Sequence, residues 1–161
     1  MTEEFDLIDV LPHKPPMILV DKIISYDVEK LKLSAEVSIS KDTLFFDTVM
    51  GGVPAWVGIE YMAQTIGALS GVFGKKKNEE KPTMGFILGT RKYENKIGCF
   101  KEGKSYRIDV EELFYSSGLG CFKGIIKDKK ENICASAELN VFRMENSDDF
   151  VNQVVKGKID G

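Results

Sequence analysis

Between Leu31 and Ile39 the chain alternates, with Leu31, Leu33, Ala35, Val37 and Ile39 on one side and Lys32, Ser34, Glu36 and Ser38 on the other. That two-residue period predicts a strand with one dry face and one wet face. A different pattern runs from Pro54 to Phe73, where PAWVGIEYMAQTIGALSGVF carries apolar or small residues on every side of a helix. Pro54 falls in the predicted first turn, where a missing N–H costs nothing. Gly74 and the charged segment KKKNEEKP end the helix. Downstream, GFILGTRKYENKI predicts a strand followed by a turn. SYRIDVEELFYSS, CFKGIIKD and NICASAELNVFR predict three more strands at the spacing of an antiparallel meander. Upstream, residues 1–10 form a short acidic lead, and the prolines of LPHKPPMILVDKI break any helix and leave MILV as a buried extended run. TLFFDTVMGG is a loop leading to the helix. The polar tail MENSDDFVNQVVKGKIDG carries one short amphipathic helix around Phe150–Val155.

A helix that is apolar on every side has to be enclosed, and only the strands are available to enclose it. The expected fold is therefore α+β, a curved antiparallel sheet wrapped around one long central helix, the hotdog arrangement. It is expected as a single domain over residues 1–161, with its core at about 8–143 and a polar tail at 144–161.

Composition narrows the function. The 161 residues carry a net charge of −3, so no basic excess is available to hold nucleic acid. No apolar run approaches the roughly 20 residues of a membrane span. The start, MTEEFDLIDVL, lacks the basic and apolar regions of a signal peptide. Cys99, Cys121 and Cys134 are widely spaced with no CxxC among them, which predicts reduced thiols in a cytoplasmic protein. One histidine and scattered cysteines make no metal set, and GFILG lacks the spacing of a phosphate loop, so no cofactor is expected.

One residue does not fit the helix. Glu60 is a carboxylate in the middle of the apolar run, where burial costs several kcal/mol unless the group is paired or titrates. The run Pro54-Ala55-Trp56-Val57-Gly58-Ile59-Glu60-Tyr61-Met62-Ala63-Gln64 resembles the central-helix motif of the 3-hydroxyacyl-acyl-carrier-protein dehydratases, in which Pro-Gly and four mostly apolar residues precede Glu or Asp, with Gln further on. The segment from Leu11 to Lys22, LPHKPPMILVDK, resembles the opening signature of the same family, and Phe100–Tyr106 is similar to its late turn and strand. The resemblance covers roughly residues 8–143, and the wording VPAWVGIEYMAQ is closer still to the hotdog proteins of aryl-polyene lipid pathways.

The resemblance implies dehydration of a 3-hydroxyacyl thioester, carried by ACP or coenzyme A. That chemistry takes a proton from C2, protonates the leaving hydroxyl and stabilises charge on the thioester oxygen. It implies that Glu60 is the acidic catalytic residue, that Gln64 lies one turn on along the same face, and that the N–H of Ala55 stands where the family's Gly meets the thioester. Trp56, in the predicted first turn of the helix, either lines the mouth of the site or only caps the core. The family's catalytic His should lie in the loop before the helix, but Phe45-Phe46-Asp47-Thr48-Val49-Met50-Gly51-Gly52 is about two residues shorter and holds Val49 at that position.

Three readings stay open. His13, the one histidine, is recruited as the partner of Glu60. Alternatively, Glu60 acts alone or with water, as a weak dehydratase or as a thioesterase. In the third reading the protein turns nothing over and partners an active hotdog subunit. A homo-oligomer or a heterodimer is expected in each. Two further features have double readings. Gly67 and Gly71 share a stripe with Glu60 and Gln64, and leave room either for an acyl chain or for close packing. Arg91, Lys92 and Lys96 are either a docking patch for an acidic carrier or a solvated turn.

Overall fold

The computed structural model describes residues 4–11, 17–76 and 84–144. His13 and the Phe150–Val155 helix lie outside the described residues. A short helix α1 (Leu7–Val10) precedes strands β1 (Lys22–Asp27) and β2 (Lys32–Ser38). Then come a three-residue strand β3 (Gly52–Pro54), a 3-10 turn (Ala55–Val57) and the long helix α2 (Gly58–Lys76). Strands β4 (Met84–Asn95), β5 (Cys99–Lys101), β6 (Ser105–Ser116), β7 (Leu119–Lys127) and β8 (Ile133–Met144) follow.

Six strands form one antiparallel sheet in the order β1-β2-β6-β7-β8-β4, and β3 pairs with β5 separately. The inner face of the sheet packs on α2. Leu33, Ala35 and Val37 of β2, Tyr106, Ile108 and Val110 of β6, and Phe122 and Ile126 of β7 are buried there with Tyr61, Met62, Ile66 and Leu69 of the helix. The alternation expected around β2 is present, except that Leu31 lies in the preceding turn with φ +54°. Gly124 of β7 admits the helix closely, since a Cβ there would sit 2.8 Å from the sulfur of Met62.

The outer face carries charge in rows. Arg91, Glu138, Lys123, Glu111, Lys32 and Asp27 stand opposite one another across successive strands, alternating in sign from edge to edge. Such cross-strand pairs favour one register over a slipped one. Arg91 and Lys123 flank Glu138, so Arg91 belongs to a mixed-sign row.

Two expectations need correction, and one double reading is narrowed. The helix starts at Gly58, and Pro54 instead ends β3, where it pairs with Cys99. KYEN is no turn: β4 continues through it to Asn95, past a bulge between Arg91 and Glu94. The stripe at Gly67 and Gly71 is no tunnel in this chain. A Cβ at Gly71 would lie 1.9 Å from the Val10 carbonyl oxygen, and one at Gly67 would lie 3.0 Å from Leu11. The close approach is real, but the element that approaches is the N-terminal segment around α1.

Candidate functional site

Strand β3 delivers the chain to the start of the helix. The loop before it closes on one residue, Asp47. Its side chain accepts the N–H groups of Val49 (2.9 Å) and Met50 (3.0 Å). Its backbone carbonyl accepts from Gly51 at 2.8 Å, and its N–H donates to Gly52 at 2.8 Å. Gly51 supplies the left-handed turn at φ +76° that this closure needs. Asp followed four and five residues later by Gly-Gly is the signal that marks such a turn in the sequence.

Val49, at the position where the resemblance expects a base, is 98% exposed. Leu44, Phe45 and Met50 are exposed beside it in sequence, and the Phe45 ring lies 5.6 Å from the ring of Trp56. Trp56 itself is 57% exposed. Along α2 the incompletely covered residues Trp56, Ile59, Glu60 and Ala63 recur at helical spacing, so they share one open stripe. Glu60 is exposed on that stripe. This corrects the expectation of a carboxylate enclosed by its own chain: every side of the helix is apolar, yet the sheet and α1 leave this stripe uncovered.

Ala55 is buried, and both of its backbone groups are engaged. Its N–H donates to Gly98 at a long 3.3 Å. Its carbonyl accepts from the Tyr93 hydroxyl and from the N–H of Gly58. The next two N–H groups, of Trp56 and Val57, are among the first-turn donors that a helix leaves without an acceptor of its own. The helix dipole adds to their preference for negative charge. The oxygen of the Gln64 side chain accepts from the N–H of Leu19 at 2.7 Å, and its nitrogen donates to the Met17 carbonyl at 2.6 Å. Gln64 therefore pins the end of the opening signature to the helix, one turn beyond Glu60.

Tyr61 points the other way, into the core. It is 1% exposed, packs edge-on against Phe100 at 5.4 Å, and its hydroxyl has no hydrogen-bond partner among the described residues. Burial pushes its pKa far above the ordinary value, with Asp21 and Tyr106 adding to the rise. Among the described residues no three His, Cys, Asp or Glu side chains gather as a metal site, and no helix is long and apolar enough to cross a membrane.

Comparison with known proteins matches this geometry to a family. Residues 5–152 match the ApeP-like family, described as ApeP dehydratase. The 3-hydroxyacyl-[acyl-carrier-protein] dehydratase FabZ of Vibrio campbellii is 30% identical over 141 residues, which cover 85% of this chain and 90% of the relative. FabZ of Chlamydia pneumoniae is 32% identical over 90 residues, 54% of this chain, and the match spans only 58% of that relative's length. Among solved structures, the dehydratase heterocomplex ApeI:P of Xenorhabdus doucetiae superposes with a TM-score of 0.83 at 26% identity, covering 94% of this chain and 99% of the matched one. The PaaI protein of E. coli, at 9% identity and a TM-score of 0.60 over 78% of this chain and 80% of its own, shares the fold alone. The family match over residues 5–152, on a hotdog scaffold matched over nearly its whole length, places the chain in one family: it belongs to the ApeP-like dehydratases.

Proposed function

We propose that this chain is a dehydratase-like hotdog subunit that binds a 3-hydroxyacyl thioester of ACP or coenzyme A at the start of α2, and that a second hotdog subunit completes its site. The observation that carries the reading is the open stripe. Glu60 faces solvent between apolar neighbours, and the preceding loop offers Val49 where a base is needed. Such a surface has the polarity of an interface and half of the required chemistry. A partner fits the edge of the sheet as well. Strand β4 is 12 residues long and stands at the end of the strand order, so among the described residues no strand lies along its outer side. The Xenorhabdus relative, a heterocomplex, supports two different subunits over two identical ones.

In this reading the thioester oxygen meets the helix-start N–H groups, which stabilise the enolate-like charge. The partner takes the C2 proton. The Glu60 carboxyl gives its proton to the departing C3 hydroxyl, the C3–O bond breaks, and water and the enoyl thioester leave. Ala55 and Trp56 line the acyl entrance, and Gln64 serves the site by fixing the opening signature against the helix. The whole chain acts as one hotdog domain without a cofactor.

The test is turnover of a 3-hydroxyacyl thioester by the purified chain, alone and mixed with a hotdog dehydratase subunit that carries the loop His. Glu60→Gln and His13→Ala are run in parallel, and both enoyl product and free thiol are followed. The proposal expects enoyl product only in the mixture, lost in Glu60→Gln and kept in His13→Ala. Product from the chain alone that both substitutions abolish would establish a His13–Glu60 dyad instead. Thiol release that only Glu60→Gln abolishes would make the chain a thioesterase.

A further inference from the structure

Three departures from regular structure converge on a single hydrogen bond. Strand β4 has a bulge at which Lys92 and Tyr93 stand between the paired positions Arg91 and Glu94, with Lys92 in the left-handed region at φ +53°. A non-glycine residue held there is strained, and such strain persists only where the surroundings impose it. The bulge resets the alternation of the strand: Arg91, Lys92 and Glu94 are exposed, while Tyr93 packs against the core. Opposite Tyr93 the helix begins with Gly58, where a Cβ would stand 2.6 Å from the Tyr93 hydroxyl. Glycine in that first turn, poor for helix formation, leaves the space the hydroxyl occupies. The hydroxyl then donates to the carbonyl of Ala55.

We infer that Tyr93 is a positioning residue for the thioester, holding and polarising the peptide between Ala55 and Trp56. That peptide's carbonyl accepts two donors, from Tyr93 and Gly58, which fill both lone pairs of the oxygen. Hydrogen bonds accepted at one end of an amide strengthen donation from the other end. The other end is the N–H of Trp56, the next donor of the helix start after the Ala55 N–H, which is given to Gly98. Burial raises the pKa of the Tyr93 hydroxyl, so it stays a donor throughout the neutral range. The inference rests on the dehydratase reading above and adds the residue that tunes its thioester contact.

The experiment compares the wild-type chain with Tyr93→Phe, each mixed with the His-bearing hotdog subunit and given 3-hydroxyoctanoyl-pantetheine. The expected result is a fall of roughly tenfold in kcat for enoyl formation, with KM within about twofold, since the N–H donates most strongly to the transition state. The Trp56 amide proton should move upfield in 15N-labelled Tyr93→Phe, a signature that lost packing would not give. Gly58→Ala, whose Cβ would stand 2.6 Å from the Tyr93 hydroxyl, should reproduce the kcat loss in the wild type. Wild-type kcat in Tyr93→Phe would overturn the inference, as would a loss that tracks a lowered melting temperature and vanishes on cooling. Failure of the dehydratase reading is distinct, because it shows as no enoyl product from the wild type itself.

Discussion

Gly71→Ala separates close packing from an acyl tunnel. Alanine is the better helix former by about 1 kcal/mol, so on propensity alone the substitution should stabilise α2. The structure reverses that sign. The new Cβ would lie 1.9 Å from the carbonyl oxygen of Val10 and 2.7 Å from its carbonyl carbon, and both are backbone atoms that no rotamer change can move aside. Relief requires α1 to shift bodily, loosening Val10 and Leu7, which are buried. Overpacking of this kind costs about 1–3 kcal/mol, and partial exposure of two apolar side chains adds about 1–2 kcal/mol. After the propensity gain, the net loss is about 2 kcal/mol. Urea unfolding measures it: with a slope of about 2 kcal/mol/M, the midpoint should fall by about 1 M with the slope unchanged. Gly67→Ala is the control on the same stripe. Its nearest neighbour is the end of the Leu11 side chain at 3.0 Å, which can rotate away, so its midpoint should stay close to wild type. A Gly71→Ala protein as stable as wild type would refute the reasoning and reopen the stripe as a channel.

Two other substitutions test the interior beside the site. Tyr61→Phe removes a buried hydroxyl that has no partner among the described residues and keeps the ring on Phe100, so it should stabilise by about 1 kcal/mol and raise Tm by about 2–4 °C; a lower Tm would show that the hydroxyl is satisfied in solution. The same residue sets an alkaline limit. Burial raises the folded pKa values of Tyr61, Tyr93 and Tyr106 above the unfolded value of about 10, so above that pH the unfolded chain binds fewer protons than the native one. Stability should be intact below about pH 10 and fall as pH rises beyond it, less steeply in Tyr61→Phe; a flat profile to pH 11 would contradict the assigned burial. Gln64→Leu removes both bonds that hold Met17 and Leu19 and leaves the buried Leu19 N–H without an acceptor. It should destabilise by about 2–3 kcal/mol and speed exchange of the Leu19 amide, and an unchanged amide would exclude the pinning role.

What could be read in the sequence was what repeats. The dry face of β2 and the strands β6 to β8 show themselves because each alternates over at least one full side of a sheet. Strands β3 and β5, three residues each, are too short to display a period, and they exist only because Gly52–Pro54 meets Cys99–Lys101 from the far side of the helix in sequence. The same limit hid α1, four residues long. The run KYEN looks like a turn because it is polar. Only the bulge at Lys92 shows that the strand continues and that one of the four, Tyr93, turns inward. Small residues at Gly67 and Gly71 announced a close approach, but nothing local to the helix says which element makes it.

Glu60 is the sharpest case, because sequence and structure disagree about it for a physical reason. The sequence describes a helix apolar on all sides, whereas the single chain leaves one stripe open. Both hold if a second subunit covers that stripe, and Trp56, the chain's single tryptophan, reports on it directly. It is 57% exposed and its ring contact is with Phe45, so Trp56→Asp should leave the fold intact. A central interface tryptophan is worth about 2 kcal/mol or more, so association with the second subunit should weaken by at least about 30-fold, as measured by sedimentation. In the wild type, assembly should shift the tryptophan emission to the blue as water leaves the ring. Assembly with unshifted emission, or undiminished in Trp56→Asp, would mean that the partner binds elsewhere. Glu60 would then remain in water, and a carboxylate that no partner encloses is better suited to activating water than to protonating a leaving group.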